Sequence, residues 1–535
     1  MKGKLLLVLC LLWLLSCLSY TRFSQTVTKA SSSSPVHNLN TGLNYTTIQD
    51  AIDANETLNG QTILVDDGTY NENVFVNKSL TLTGESRDNT IVNANGTGEA
   101  FTLTAPNISI TNFTVANSSM HNTPLYGDIL LNQTTNCTIG NVEATNCNYT
   151  GIALLNSTQN RISDCEFFAD GNGIVLCYSD QNVISDCECF GNQSSLTESP
   201  LQDGIVLLTS NENVISDNVV SGNSGLGHFV GIGLWGMGCN DNVLIGNNVS
   251  SCLDNGFDIV GFDNNITSNL IWDNGNGVLF DHASGNIVNN NDIWNNTMSG
   301  VHISLGDANN TILENTINNN HYGVFVEWNS GNDNLFYHNN FVSNSVQDLS
   351  TGGSLSIWDN GYPSGGNYWS DYNGTDLFSG TYQNVSGSDG IGDEAYSINA
   401  YDRYPLMAPF SDFNATPEYN VQTVCNSTIS DFQFNGTTIS FNASGENGTT
   451  GFCRICFPTA LINGTFTVFV NGTEVPYTLL PESTSTNSYL YFTYHHSTQE
   501  VIITPEFPSF LILSLFLIAT LLTAMLYKKR PSRTT

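Results

Sequence analysis

The chain has 535 residues, with 13 Lys and Arg, 48 Asp and Glu, and a formal net charge of −35 at pH 7. This acidic balance excludes a protein that binds nucleic acid through its phosphates, because that affinity comes largely from Lys and Arg. Only 11% of the residues are charged and 40% are hydrophobic, which favours a chain with a buried core over a highly charged disordered one.

The N-terminus carries the pattern of a secretory signal. Two lysines precede the apolar run Leu5–Leu18, and a stretch rich in Ser and Thr follows it. A short basic segment, a short apolar segment and a polar cleavage zone are typical of a signal peptide, which we place at residues 1–30. An uncleaved N-terminal anchor is the alternative, and Leu14–Cys17 is a weaker match to a lipoprotein box.

The C-terminus predicts a membrane anchor. Residues 509–527 are almost wholly apolar and long enough to span a hydrocarbon core as a helix. The basic cluster Lys528–Arg530 predicts a cytoplasmic tail at 528–535, with the bulk of the chain outside the cell. Pro505–Pro508 resembles the PEF-type sorting signals of archaeal surface proteins, which implies that a protease could remove the span.

Roughly two dozen Asn-x-Ser/Thr sequons are typical of an exported, glycosylated surface. Asn107, Asn248 and Asn435 are examples.

The middle of the chain repeats with a period of roughly 22 to 24 residues. Each unit has an Asn, an apolar residue two positions later, and a Gly-apolar pair. The first asparagines are Asn160, Asn182, Asn213, Asn242, Asn264, Asn286, Asn310 and Asn334. Short alternating runs cut by Asn and Gly turns predict strands, since paired-helix repeats need longer amphipathic stretches. We therefore predict coils of short strands that stack into a parallel β-helix.

A second column lies five residues after the first Asn and predicts a structural ladder. It reads Cys165, Cys187, Asn218, Asn247, Asn269, Asn291, Asn315 and Asn339. Stacked coils place these residues about 4.8 Å apart, so each amide can bond to the next. Asn can also take the left-handed conformation of a tight turn. A metal column is less favoured, because amides bind metals poorly, and Cys165 and Cys187 either form a disulfide or pack as small apolar residues.

The coils resemble right-handed β-helix repeats of the pectin-lyase-like superfamily, and most closely the NosD-like proteins of archaeal surfaces. The segments that fit this family's start and end are Tyr45–Ile52, Ile63–Tyr70, Gly365–Tyr372, Asp389–Asp393 and Asp402–Leu406. Ile48, Ala51 and Ile52 form one apolar helix face that suits a cap on the solenoid. The resemblance implies a β-helix at 40–345 with a closing segment at 346–412, and it is weak for activity.

Residues 416–504 lack the repeat and predict a small β-sandwich that acts as a spacer. Runs such as Phe466–Val470 and Tyr489–Thr493 alternate like strands, and Asn471-Gly472 is a hairpin signal.

Three cysteines of this region predict a disulfide. Cys425 can pair with Cys453 or with Cys456, since the protein is exported. A zinc site that adds His495 and His496 is the less favoured alternative.

The strands that begin at the Gly-apolar pairs predict a binding face. The apolar residue and the residue two positions later point inward, so the residues two and four after the Gly point outward. In the later coils these outward residues are Trp235, Asp258, Asp281, His302 and Glu327, which we call the stripe. Because sugars stack on Trp and bond to carboxylates, the stripe is the predicted carbohydrate-binding face.

Four stripe residues, Asp258, Asp281, His302 and Glu327, are also catalytic candidates. Asp258 and Asp281 lie one coil and two residues apart, which places their Cβ atoms roughly 8 Å apart. Inverting glycosidases separate their carboxylates by about 6.5–9.5 Å. A solvated outer face is the simpler interpretation, and a lyase would lack its base, because every Lys and Arg of residues 36–412 lies off the stripe.

Two metals are considered. Asp371, Asp376, Asp389 and Asp393 lie in Gly-rich loops and suit Ca²⁺, although Asx turns explain them equally well. The NosD resemblance implies copper handling, but copper needs clustered thioethers or imidazoles. The chain has 6 Met and 9 scattered His, so no copper ligand is assigned.

The sequence therefore predicts an all-β chain: a right-handed parallel β-helix, a small β-sandwich and a C-terminal transmembrane helix. It predicts a cell-surface protein that binds glycans or cell-envelope components. The alternatives are a polysaccharide lyase or glycoside hydrolase, and a NosD-like copper-binding maturation factor.

Overall fold

The structure is a computed structural model. It describes residues 34–506 except 119–124, 146–149, 169–170, 192–202, 223–228, 237, 305, 329, 352–354, 398 and 482, and also residues 520–523 and 525. The predicted signal at 1–30, most of the apolar span 509–527 and the tail at 528–535 lie outside the described residues. Within the described part of the chain, no helix combines the length and the apolar character that crossing a membrane requires. The predicted transmembrane helix therefore stays a prediction.

A short cap opens the described chain. Its strands are Val36–Asn38 and Asn44–Tyr45. The helix Ile48–Asp53 follows, and the Thr47 side chain caps it by accepting a hydrogen bond from the Asp50 amide. The helix buries the apolar face that the sequence predicts, Ile48, Ala51 and Ile52, in the core that runs through the solenoid.

A parallel β-helix follows the cap, and its coils contribute strands to three faces. The long sheet consists of Val74–Val76, Phe101–Leu103, Ile129–Asn132, Thr150–Leu155, Asn172–Cys177, Ile205–Leu208, Ile232–Trp235, Asn255–Ile259, Asn276–Phe280, Ser299–Ile303, Tyr322–Val326 and Val346–Ser350. The second sheet contains Thr62–Val65, Thr81–Gly84, Arg161–Ser163, Val183–Ser185, Val214–Ser216, Val243–Ile245, Asn265–Thr267, Ile287–Asn289, Thr311–Leu313 and Leu335–Tyr337. The third sheet contains Gly68–Tyr70, Thr90–Asn93, Glu166–Phe168, Glu188–Phe190, Val219–Ser221, Asn248–Ser250, Leu270–Trp272, Asp292–Trp294, Thr316–Asn318, Asn340–Val342 and Tyr368–Trp369. Ser109–Ala116 and Thr138–Thr145 pair with strands of both the second and the third sheet. This arrangement confirms the predicted parallel β-helix.

The coils stack in register around one apolar core. Ile232 lies beside Phe257, and Phe257 lies beside Val278; all three are fully buried. The glycines that precede these strands are needed for close packing. A Cβ atom at Gly277 would lie 2.5 Å from Cγ2 of Ile293 and 2.5 Å from the carbonyl oxygen of Gly300.

The predicted asparagine ladder is present. Oδ1 of Asn291 accepts hydrogen bonds from both the backbone N–H and the side-chain amide of Asn269, each at 2.9 Å. The same pattern joins Asn218, Asn247, Asn269, Asn291, Asn315, Asn339 and Asn367. From Asn218 to Asn339 the prediction of left-handed geometry was wrong by one position, because the residue before each of these asparagines has the positive φ, as at Ser268 and Asn290.

Two further ladders run parallel to the first. One joins the first asparagines of the repeat from Asn160 to Asn334. The other begins where the Cys252 amide binds Asn274 and continues through Asn296, Asn320 and Asn344. Since each bonded amide is buried, the ladders hold neighbouring coils together at three corners.

A loop-rich segment closes the far end of the solenoid. Its short strands are Phe378–Ser379 and Val385–Ser386. Trp369 stacks between Phe341 and Tyr396, with ring centroids 4.4 and 4.3 Å away. Its indole N–H donates to Asp402 at 3.0 Å, so an aromatic stack continues the core into the closing segment.

Two five-stranded antiparallel sheets follow. One consists of Phe410–Thr416, Tyr419–Cys425, Thr450–Pro458, Tyr477–Leu479 and Asn487–His495. The other consists of Thr428–Phe434, Ile439–Ser444, Phe466–Val470, Thr473–Val475 and Thr498–Pro505. Residues of both sheets share one buried core, which is the arrangement of a β-sandwich. The sandwich contacts the solenoid, since the Phe410 amide and carbonyl both bond to the Asn340 side chain, at 2.7 and 2.9 Å.

Candidate functional site

The stripe lies on the outer face of the long sheet, in two columns. In the first column, Asp258 lies beside Leu279, which lies beside His302. In the second column, Trp235, Asp281 and Glu327 stand at or just after the ends of their strands. The register therefore places Asp281 one coil and two residues from Asp258.

His302 is mostly buried within this face. Its ring stacks on Phe325 with centroids 4.7 Å apart, and Nε2 lies 3.1 Å from Oε1 of Glu327. Burial lowers the pKa of His302, while the bond to Glu327 opposes that shift. A neutral imidazole that donates from Nε2 to the carboxylate satisfies this arrangement.

Asp258 and Asp281 have different partners. Asp258 is 9% exposed, and its Oδ2 accepts a hydrogen bond from Nδ2 of Asn255 at 3.2 Å. Oδ1 of Asp281 lies 2.6 Å from Nδ1 of the exposed His282. These hydrogen bonds thus join Asp258 and Asp281 to different neighbours.

Trp235 forms a flat platform beside Asp258. A Cβ atom at Gly233 would lie 2.9 Å from Cε2 of Trp235, so the indole lies over the glycine. Gly233 stands next to Asp258 in the first column. An indole that lies on a sheet can stack against a sugar ring, because apolar sugar C–H groups pack on aromatic faces.

Sequence reasoning missed two contributors to this face. Trp328 follows Glu327 and is 67% exposed, and Gly233 provides the room for Trp235. In this coil the glycine of the repeat is Gly231, so Gly233 is not part of the repeat pattern. Trp328 lies after the end of its strand, where the alternation no longer predicts which side chains face outward.

Three of the four calcium candidates, Asp376, Asp389 and Asp393, accept hydrogen bonds from amides of the closing loops. Asp376 accepts from the amides of Asp389 and Gly390, and Asp393 accepts from two more loop amides. Across the described residues, no group of three or more His, Cys, Asp or Glu is arranged to hold a metal ion. Among those residues the His, Cys and carboxylate donors are not grouped as a copper or zinc site requires, and the calcium site stays a prediction.

The structure describes ten cysteines, and no disulfide joins any two of them. Cys187 follows Cys165 in the ladder column, and a hydrogen bond with Cys165 together with burial raises the pKa of its thiol. Cys425 lies directly opposite Cys453 within the sandwich core. Cys456 instead lines a cavity that faces His338 and Phe410, so it lies on the other side of the sheet.

Oxidised protein is expected to contain a Cys425–Cys453 disulfide and a free Cys456. The hydrogen bond from the Cys453 thiol lowers the pKa of Cys425 to about 7, so its reactive thiolate is populated at neutral pH. Alkylation followed by mass spectrometry of unreduced peptides measures the pairing. A Cys425–Cys456 peptide would contradict the expectation.

Two family models match the chain. The model described as a right handed beta helix region matches residues 87–240, and the one described as periplasmic copper-binding protein (NosD) matches residues 197–374. They confirm the predicted resemblance and the right-handed β-helix.

One curated relative and two solved structures are similar to parts of the chain. A cell surface glycoprotein of Methanothermus fervidus is 38% identical over 107 residues, which are 20% of this chain and only 16% of that protein. The A-module of the Azotobacter vinelandii mannuronan C-5 epimerase AlgE6 is 16% identical, with a TM-score of 0.43, and the match covers 61% of this chain and 97% of that one. The periplasmic alginate epimerase AlgG is 15% identical, with a TM-score of 0.45, and the match covers 56% and 83%. Neither structural similarity bears on activity.

Proposed function

Since residues 197–374 match the NosD model and residues 87–240 match the right handed beta helix model, we propose that this chain is an extracellular surface protein that binds a carbohydrate polymer of the cell envelope. The relative's name, cell surface glycoprotein, and the periplasmic description of the matching family support the location. The observation that carries the binding role is the Trp235 platform over Gly233 beside Asp258.

The geometry of the stripe supports an elongated ligand. Trp235, Asp281 and Glu327 lie on different coils of one face, and Trp328, which follows Glu327 in the chain, is exposed. A polymer that runs along the solenoid would meet an aromatic or carboxylate group at several coils. The net charge of −35 favours a neutral or amine-bearing polymer, because an anionic one is repelled.

The ends of the chain fit this location. We propose that residues 1–30 are removed as a signal, that the sandwich at 416–504 is a spacer, and that residues 509–527 anchor the protein with a cytoplasmic tail. The apolar span and the basic cluster that follows it support the anchor.

Replacement of Trp235 with alanine is expected to weaken glycan binding at least tenfold. Loss of a stacking aromatic at the centre of a site typically removes about 1.4 kcal/mol or more. Binding of the purified chain is measured first on an array of envelope polysaccharides and then by titration with any hit.

Trp294→Ala is the matched control. Trp294 also faces outward, but it stacks on Trp272 in the third sheet at 5.8 Å, so its loss should leave glycan binding unchanged. If no glycan binds, or if Trp235→Ala binds as well as the unaltered chain, the proposed function is wrong.

The enzyme alternative would act through Asp258, Asp281, His302 and Glu327, of which His302 and Glu327 are hydrogen-bonded to each other. Product analysis on any bound glycan separates the two functions. Cleavage that is lost in Asp281→Asn while binding persists would establish a hydrolase or lyase.

A further inference from the structure

A buried carboxylate ends one of the inward columns of the solenoid. Asp348 lies beside Val324 in the last strand of the long sheet. The earlier members of this column are all apolar: Ile129, Ile152, Ile174, Ile205, Ile232, Phe257, Val278, Val301 and Val324. Asp348 is 2% exposed, and neither of its carboxylate oxygens has a hydrogen-bond partner of ordinary geometry among the described residues. Burial raises the pKa of Asp348 to about 6, although the nearby Ala400 amide and Tyr396 hydroxyl oppose that shift. Such a group is costly to bury unless something binds it.

Asp348 lines a cleft of about 390 Å³ between the last coil and the closing segment. This volume lies within the range of small-molecule sites, about 300–1,000 Å³. The other polar groups of the cleft include Asp371, Tyr396 and the hydroxyls of Ser343, Ser345 and Ser370. No Lys, Arg or His is among the described residues that line it. The cleft therefore presents two carboxylates and no protein cation.

Tyr396 lies between the two carboxylates. Its ring stacks on Trp369, with planes 3° apart, and its hydroxyl donates to Oδ2 of Asp371 at 3.4 Å. Burial and the nearby charges of Asp348 and Asp371 raise the pKa of Tyr396. Asp348 and Asp371 therefore both lie near the Tyr396 hydroxyl, and Trp369 packs against the Tyr396 ring.

We propose that this cleft binds a primary ammonium group on a sugar-sized polyhydroxy molecule, such as an amino-sugar residue. An ammonium has three donors and a positive charge, and it would complete the hydrogen bonding of Asp348 and Asp371. The serine hydroxyls suit the hydroxyls of a sugar. A bare calcium ion needs six to eight oxygen ligands at about 2.3–2.6 Å, and the cleft offers two carboxylates in a space much larger than one ion.

The test uses the full chain and three soluble probes at a pH where the amine is protonated. Glucosamine is expected to bind at least tenfold more tightly than glucose or N-acetylglucosamine, which lack the ammonium group. Asp348→Asn and Asp371→Asn should each remove this preference. Asp371 is exposed at the rim, so its substitution does not disturb the core. Asp186→Asn, at an exposed turn of the solenoid, is the matched control and should bind as the unaltered chain does.

Three results would overturn the proposal. They are equal binding of glucosamine and glucose, unchanged glucosamine binding in both aspartate variants, and calcium binding that depends on Asp348 without any glucosamine binding. Trp235→Ala should leave glucosamine binding intact, because Trp235 does not line the cleft. Failure of the stripe as a polymer site is therefore distinguishable from failure of this cleft.

Discussion

Replacement of Asn291 with alanine is expected to lower the free energy of unfolding by about 3–6 kcal/mol. The Asn291 amide donates to the carbonyl of Ile266 and to Oδ1 of Asn315, each at 2.9 Å. Its Oδ1 accepts two bonds from Asn269. Alanine would leave the buried backbone N–H of Asn269 without its partner, and an unsatisfied buried group costs about 1–3 kcal/mol. It would also remove one bond each from the Asn269 side-chain amide, the Ile266 carbonyl and Oδ1 of Asn315, at about 1 kcal/mol each. Urea unfolding followed by circular dichroism of the full chain measures the change.

Asn332→Ala is the control for this substitution. Asn332 lies in an exposed turn of the same solenoid, where a substitution typically changes stability by about 0.5 kcal/mol or less. Equal unfolding midpoints for the two variants would show that the ladder does not stabilise the coils.

The ladder could be read from the sequence because it depends only on the repeat. Its members recur once per coil, and stacking brings equivalent residues together whatever the rest of the chain does. The third ladder carried the same signal, since Asn264, Asn269 and Asn274 are spaced five apart. The left-handed conformation was predicted for the ladder Asn because Asn adopts that conformation more readily than most residues. In the structure the buried Asn uses its backbone N–H for the ladder, and the residue before it has the positive φ.

Features that depend on one coil's surroundings could not be predicted. Alternation places His302 outside the core, but the packing of Phe325 from the next coil covers it. The Gly-rich loops drew attention to Asp376 as a calcium ligand, whereas loop amides already bind it. Asp348 occupies a column that pattern alone assigns to apolar residues. In each case a contact distant in sequence decides the outcome.

The free energy of unfolding is expected to fall as the pH rises from 5 to 8. Burial raises the pKa of five carboxyl groups to about 7: Asp128, Asp307, Glu314, Asp376 and Asp402. In the unfolded chain these groups titrate near pH 4, so the native state binds more protons between about pH 4 and 7. Their stabilisation is therefore present below about pH 4 and is lost as the pH rises through 7. Burial lowers the pKa of His338 to about 4, so this residue makes the free energy of unfolding fall as the pH drops below about 6.5. Because five carboxyl groups outweigh one histidine, the stability maximum lies on the acid side of neutrality.

Asp128→Asn is the variant that isolates this effect. Asp128 is fully buried, its Oδ1 accepts from the amide of Ser118, and its Oδ2 has no hydrogen-bond partner among the described residues. An amide imitates the protonated acid, so the variant should match the unaltered chain below about pH 4, where Asp128 is protonated in both states, and exceed its stability at pH 8. Between about pH 5 and 6 the free energy of unfolding of the variant should fall with pH less steeply than that of the unaltered chain. The difference in slope is about 1.4 kcal/mol per pH unit, the value for one proton. Urea unfolding at several pH values measures these slopes. Asp186→Asn, at an exposed turn, should leave the slope unchanged, and a slope equally steep in Asp128→Asn would show that Asp128 is ionised in the native protein.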